Sequence, residues 1–161
     1  MDFLKEVGAL ALSNRLKRIG DLMIRGGHAL YKDLGVDIEP NWYLILLLLK
    51  RNKVMSITEI ADSLGFTHPS INALVNKIAR NGYIKEMKDK EDGRRRLLKL
   101  SSKGLNRIES LETIWKAGEK GIVQLIEETG YDIMDALEKL ESRLVEKGFD
   151  KRTKEHLKIK K

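Results

Sequence analysis

Between Thr67 and Lys77 the chain sets out small polar and cationic side chains, Thr67, His68, Ser70, Asn72, Asn76 and Lys77, interleaved with Pro69 and Ala73. Further on it runs Asp92-Gly93-Arg94-Arg95-Arg96. An asparagine amide carries a donor and an acceptor that match base edges in the major groove of a duplex, and lysine or arginine complements the phosphates. Three consecutive arginines repel one another unless an anion is near. The chemistry on offer is duplex recognition: amides and hydroxyls for bases, cations for the backbone.

For that chemistry the polar residues must share a face. Ile71, Leu74, Val75 and Ile78 follow the i, i+3, i+4, i+7 spacing of a helix and face a core, which turns His68, Ser70, Asn72, Ala73, Asn76, Lys77 and Arg80 outward. Thr67 is placed to cap this helix, Pro69 falls in its first turn and Gly82 stops it. An ordinary amphipathic surface helix has the same look, so its neighbours decide. Ahead of it, Ser56-Ile57-Thr58-Glu59 fits a capping box, Ile57, Ile60, Ala61 and Leu64 form one apolar face, and Gly65 ends the helix. Behind it, Tyr83 to Met87 and Arg96 to Leu100 alternate as paired strands joined by a charged loop with Gly93 at a turn position. Helix, turn, helix and basic hairpin in that order make a winged helix-turn-helix. Such a unit offers a helix for the major groove and a cationic finger for phosphates or the minor groove.

The flanks read as helices. Residues 2–34 predict one long helix, with Phe3, Leu4, Val7, Leu10, Ala11, Leu16, Ile19, Leu22 and Met23 at helical spacing and a weak point at Gly26-Gly27. Pro40, with Glu39 or a neighbour as cap, begins a second helix that runs to about Arg51 and is apolar enough to be buried nearly all round. After Gly104, Leu105, Ile108, Leu111, Trp115, Ile122 and Ile126 form an apolar stripe. Beyond Gly130, Ile133, Leu137, Leu140 and Leu144 alternate in steps of four and three, suited to packing on other helices.

Composition sets the bounds. The 161 residues, 42% hydrophobic, suffice for a real core, and the expected class is mainly α with a small β-hairpin wing. Net charge is +7, distributed unevenly. Residues 56–104 hold ten Lys/Arg against six Asp/Glu, residues 105–149 hold six against ten, and the last twelve hold six against two. A solvated basic tail over 149–161 explains its own excess, so only the winged segment counts toward a polyanionic partner. The chain has no cysteine, which excludes disulfides, thiolate zinc sites and thiol redox switching. The apolar run from Trp42 to Leu49 is too short to cross a bilayer, so no membrane partner is expected, and with no signal-peptide pattern the cytoplasm is the expected location.

The residues resemble the MarR-type (multiple antibiotic resistance regulator) family of transcription factors. The resemblance rests on Ile57-Thr58-Glu59-Ile60-Ala61, Pro69 through Ile78, Asn81-Gly82-Tyr83-Ile84, Asp92-Gly93-Arg94, and Leu98-Lys99-Leu100-Ser101-Ser102-Lys103-Gly104 in family order. It implies one chain with dimerisation helices at 1–35 and 104–148 around a DNA-binding region at 39–103. It implies too that Asp92 braces Arg94 in the minor groove, with Arg95 and Arg96 on phosphates. The family often carries Thr or Ser followed by Arg early in the recognition helix, where this chain has Asn72 and Ala73. Asn72 can still read adenine through its amide, Ala73 can meet a thymine methyl, and Lys77 is a phosphate anchor. A homodimer on a pseudo-palindromic operator of double-stranded DNA, probed by two recognition helices ~34 to 36 Å apart, is the implied mode. The resemblance further implies release by a small aromatic or phenolic effector, for which Met23, His28, Tyr31, Trp42, Tyr43 and Trp115 are candidates. Each of these six is equally an ordinary core or surface residue.

Other chemistries find little support. His28, His68 and His156 lack metal-binding spacing, and no phosphate-cradling glycine loop or nucleophile elbow occurs, so neither catalytic residues, metal nor cofactor are expected. The alternative is a winged helix serving as a protein-protein or RNA-binding module without operator specificity.

Overall fold

The computed structural model describes residues 1–88 and 95–157. Contacts divide the chain into two compact units, Met1–Glu109 and Ser110–Lys161.

The first unit opens with α1 (Phe3–Glu6), a 3-10 turn at Gly8–Ala11, and α2 (Leu12–Asp33). The single helix expected over 2–34 is therefore broken. Gly8 sits at φ +67, a left-handed conformation open to glycine and foreign to a continuing helix. The Asp2 carboxylate meanwhile takes both arms of the Arg18 guanidinium, at 2.9 and 3.0 Å, and holds the leading segment on α2. Gly26-Gly27, read as a weak point, lies inside a continuous helix. Gly27 has a packing reason to lack a side chain, since a Cβ there would meet the Pro40 ring at 3.0 Å.

Pro40 begins a 3-10 turn, Pro40–Trp42, that leads into α3 (Tyr43–Asn52), and Glu39 precedes it without a side-chain cap. Trp42, Ile45, Leu46 and Leu49 are buried, but Tyr43 and Leu47 face out, so the helix is buried on one side rather than all round. Lys53, at φ +67, ends it and sends the chain into a strand that the sequence reading missed, β1 (Val54–Ser56).

The helix-turn-helix follows as α4 (Ile57–Leu64) and α5 (His68–Arg80). Both capping expectations hold. The Ser56 hydroxyl accepts from the Glu59 N–H while Glu59 accepts from the Ser56 N–H at 2.6 Å, and Thr67 accepts from the Ser70 N–H. Gly65, at φ +64, closes α4. The hairpin is β2 (Ile84–Lys88) with β3 (Arg96–Leu100), paired Ile84 to Leu100 and Lys88 to Arg96. β1 adds to the other edge of β3, giving the order β1-β3-β2, with Met55 opposite Leu98. Ile60, Ile71, Val75, Ile78 and Leu98 are fully buried and form the core between helices and sheet.

α6 (Ser102–Thr129) follows β3 with only Ser101 between them. The Ser101 hydroxyl donates to the Gly82 carbonyl at 2.6 Å and accepts the Gly104 N–H at 3.0 Å. Gly104 has no room for more: a Cβ would stand 2.1 Å from the Tyr83 carbonyl oxygen. In the second unit, α7 (Ile133–Glu146) is capped by Asp132, and α8 (Phe149–His156) occupies much of the segment expected as a basic tail. Among the described residues no helix is long and apolar enough to cross a membrane.

Candidate nucleic-acid interface

α5 is held on one side by Ile71, Val75 and Ile78, each with no exposed surface, and this fixes what the opposite side presents. His68, Pro69, Ser70, Ala73, Lys77 and Arg80 are exposed. Ser70, Ala73 and Lys77 succeed one another at three- and four-residue steps, so they form one row of small or flexible side chains along the helix. Thr67 and Ser70 share a hydroxyl contact of 2.9 Å at the start of the row. Lys77 reaches Glu39 only at 4.0 Å across half-exposed surface, a pairing too loose to withdraw its charge from an incoming anion.

Asn72 and Asn76 behave differently from the other outward candidates. They are half-buried on the flank of α5 that faces the hairpin, and both amide oxygens accept hydrogen bonds from Arg96, at 3.0 and 3.1 Å. Arg96 begins β3 on the same sheet face as Leu98 and Leu100. Its guanidinium also pairs with both oxygens of Glu86, which stands diagonally across on β2. Arg95 leans the other way, with its guanidinium 3.3 Å from Glu59 on α4. Glu59 is thereby used twice, in the capping box and as the anion for Arg95. The Ser56 backbone N–H first, then the Ser56 hydroxyl, and to a lesser degree Arg95, lower its carboxyl below the ordinary range.

For Arg95 and Arg96, the described part of the arginine run, anions are thus supplied within the chain, by Glu59 and Glu86. In sequence Glu59 reads as the acid of a capping box and not as an arginine's partner, and Glu86 does not stand out. The signal for Glu86 lies in the hairpin register, since its partner Leu98 is two residues from Arg96. Asp92, Gly93 and Arg94, the remaining wing candidates, lie outside the described residues.

Behind the helix-turn-helix a second polar cluster ties three segments together. Tyr83, fully buried, donates its hydroxyl hydrogen to Asp37, which also meets Arg107 at 2.8 Å and Lys103 at 3.8 Å. Lys103 stands 4.2 Å over the Tyr83 ring and donates to the Asn81 carbonyl. The Tyr83 hydrogen bond, more than the two cations, holds the Asp37 carboxyl below the usual range, while burial and then Asp37 push the Tyr83 hydroxyl up to about 12. The cluster fixes the turn after α5 to the start of α6.

The effector candidates scatter in character. Tyr31 and Trp42 are buried, Trp42 edge-on to Tyr83 with ring centres 6.0 Å apart, whereas Met23, His28 and Tyr43 are exposed. Trp115 is half-buried in the second unit. The Trp42 indole N–H is buried and has no hydrogen-bond partner among the described residues.

Set against known proteins, residues 36–95 match the model of the MarR family. Among solved structures, the chain is similar to a MepR-DNA complex from S. aureus, with a TM-score of 0.69 and 23% identity over 82% of this chain and 97% of that one. A MarR mutant from E. coli complexed with operator DNA gives 0.67 and 17%, over 89% and 99%. The transcriptional repressor CouR, bound to a 23-mer DNA duplex, gives 0.63 and 25%, over 86% and 96%. A search of curated proteins finds no match. The family match lies on the winged region just described, and the fold of these DNA-bound regulators is shared over most of the chain.

Proposed function

We propose that this chain is a sequence-specific DNA-binding transcriptional regulator, a repressor that grips a pseudo-palindromic operator as a homodimer in the cytoplasm. The observation that carries the reading is the exposed row Ser70, Ala73 and Lys77 on a helix whose other face is locked into a core. A row of short side chains lets a helix backbone come close to base edges in the major groove, and Lys77 at its end meets a phosphate. Arg94, with Asp92 as its brace, takes the minor groove. The helices within 1–35 and 104–148 join two copies, which sets the half-sites about one DNA turn apart. The role is binding rather than catalysis, and a small aromatic or phenolic acid that lowers operator affinity completes the reading.

The test is selection of bound duplexes from a random pool at near-physiological salt. An enriched inverted repeat supports the reading, whereas generic, salt-sensitive binding alone would shift it to a protein- or RNA-binding module. On the selected operator, Arg94→Ala is expected to cost roughly 1 to 3 kcal/mol of specific binding, and Lys77→Ala to weaken all sequences more evenly. Equal operator affinity with and without Arg94 would remove the wing from the account.

A further inference from the structure

The two asparagines of α5 do not choose which end of the amide they offer. Arg96 donates from Nη1 to Asn72 Oδ1 at 3.0 Å and from Nη2 to Asn76 Oδ1 at 3.1 Å. A guanidinium has donors and no acceptor, so the amide atom turned toward it has to be the oxygen. The guanidinium is itself steadied from the hairpin side, where Nε donates to Glu86 Oε2 at 3.1 Å and Nη2 pairs with Oε1. Asn72 and Asn76 lie one helical turn apart, so one planar group can hold both amides in the same sense.

This orientation limits what the helix can read. The two-pronged asparagine contact with adenine needs Oδ1 to accept from N6 while Nδ2 donates to N7. With Oδ1 turned to Arg96, the prong that adenine requires points into the protein, and Nδ2 is left as a pure donor. The major-groove edge of guanine shows two acceptors, thymine shows one, and cytosine shows a donor.

We propose that Arg96 is a specificity-determining residue: by holding both amide oxygens it makes Asn72 and Asn76 donors, so that they select guanine or thymine and lose the adenine contact their residue type suggests. The inference rests on the operator reading above and deepens it. Arg96 thereby leaves the set of phosphate contacts and becomes a positioning group behind the recognition helix.

Parallel selections from a random duplex pool test it, using the wild-type protein, Asn72→Ala, Asn76→Ala, Asn76→Asp and Arg96→Met. The alanine variants mark, by lost enrichment, the two operator positions concerned. At those positions the wild type is expected to enrich guanine or thymine about 10-fold over cytosine, with adenine not favoured. Asn76→Asp keeps an oxygen toward Arg96 and turns an acceptor outward, so its position should move to cytosine. Arg96→Met frees both amides, and adenine should rise. If Arg96→Met fails to fold or bind, the wild-type bases and the Asn76→Asp shift decide. Adenine at both positions in the wild type would overturn the inference, as would an unmoved preference in Asn76→Asp or an operator on which neither alanine variant loses a position. No enriched repeat from folded wild-type protein would instead sink the operator reading and the inference with it.

Discussion

The winged region closes a core of its own: Ile45, Ile60, Ile71, Val75, Ile78, Tyr83 and Leu98 expose none of their surface, and Leu47, Val54 and Phe66 lie outside that core as exposed side chains. α2 does the opposite. Leu12, Leu16, Ile19, Met23 and Leu30 fall on one face at helical spacing, and each is between 41% and 52% exposed. In the second unit, Met134 and Val145 are more exposed still. A winged region that closes its own core, and a helix that leaves an apolar stripe in water, fit the division that the proposed function makes between a part that recognises and a part that assembles. A contiguous stripe of this kind marks an interaction surface, and a second copy of the chain is the occupant the proposed function requires.

The largest expected effect comes from breaking that stripe. Ile19→Glu puts a charge in the middle of the exposed face, at a side chain already 52% exposed. It should leave the helical signal and the unfolding transition intact, convert dimer to monomer in sedimentation, and lower operator affinity roughly 100-fold or more through loss of the second half-site. A variant that stays dimeric with full affinity would show that the contrast between the two regions has nothing to do with assembly.

Next in size is a contrast within α6. Gly104 lies against the Tyr83 carbonyl, whereas nothing stands within 4 Å of a Cβ at Gly121. Gly104→Ala must push backbone apart and disturb the Ser101 cap, for an expected loss of about 2 to 3 kcal/mol, near the upper end of overpacking costs. Gly121→Ala should gain about 0.5 to 1 kcal/mol from helix propensity alone. Urea midpoints measure both, and a loss at Gly121 or no loss at Gly104 would erase the distinction between the close-packed and open parts of the helix.

What could be read from the chain beforehand follows the same division between local and distant causes. The caps at Ser56 and Thr67, the stop at Gly65 and the face Ile71, Val75, Ile78 are legible because helix caps and periodicity depend on residues a few positions apart. β1 is not, because three residues show no alternation and Met55 becomes a strand residue only by meeting Leu98. The break at Gly8 hides inside an apolar periodicity that continues on both sides, and Gly27 looks like a weakness until Pro40 is brought onto it. In the interface, the outward row of α5 is readable from spacing. That Asn72 and Asn76 face Arg96, and that Glu59 and Glu86 answer the arginines, depends on hairpin register and helix docking.

A smaller effect is expected at the first cap. Ser56→Ala removes the oxygen that accepts the Glu59 N–H, and the usual cost of such a loss is about 1 kcal/mol. The backbone N–H at position 56 is still there for Glu59 to accept, so Glu59 keeps both of its tasks and Arg95 keeps its partner while the start of α4 frays. Unfolding should therefore shift by that amount while operator binding at saturating protein changes little. A binding loss far beyond the stability loss would mean that the cap and the wing are coupled through Glu59.

The smallest effect concerns acid and base. Asp37 joins Tyr83, Lys103 and Arg107 in the winged unit, and its carboxyl is held below its ordinary value of 3.8, first by the Tyr83 hydroxyl. A carboxyl lowered on folding contributes stability that is present above its unfolded value and is lost as pH falls through the folded one. Tyr83 runs in the other sense. Its hydroxyl is raised from 10.0 to about 12, so its contribution is whole below 10.0 and is lost as pH climbs through about 12. Asp37→Asn should thus lower stability by a constant amount across neutral pH, under about 1 kcal/mol because more than half of the Asp37 side chain lies in water. The gap from wild type should close as pH falls below 3.8. Urea midpoints measured from neutral pH downward check this, and a gap that persists undiminished at the acid end would mean that the substituted amide fails for lack of shape or hydrogen bonding rather than lack of charge. The cluster would then belong with the packing of the winged core, and the contrast with the exposed helices would rest on apolar contacts alone.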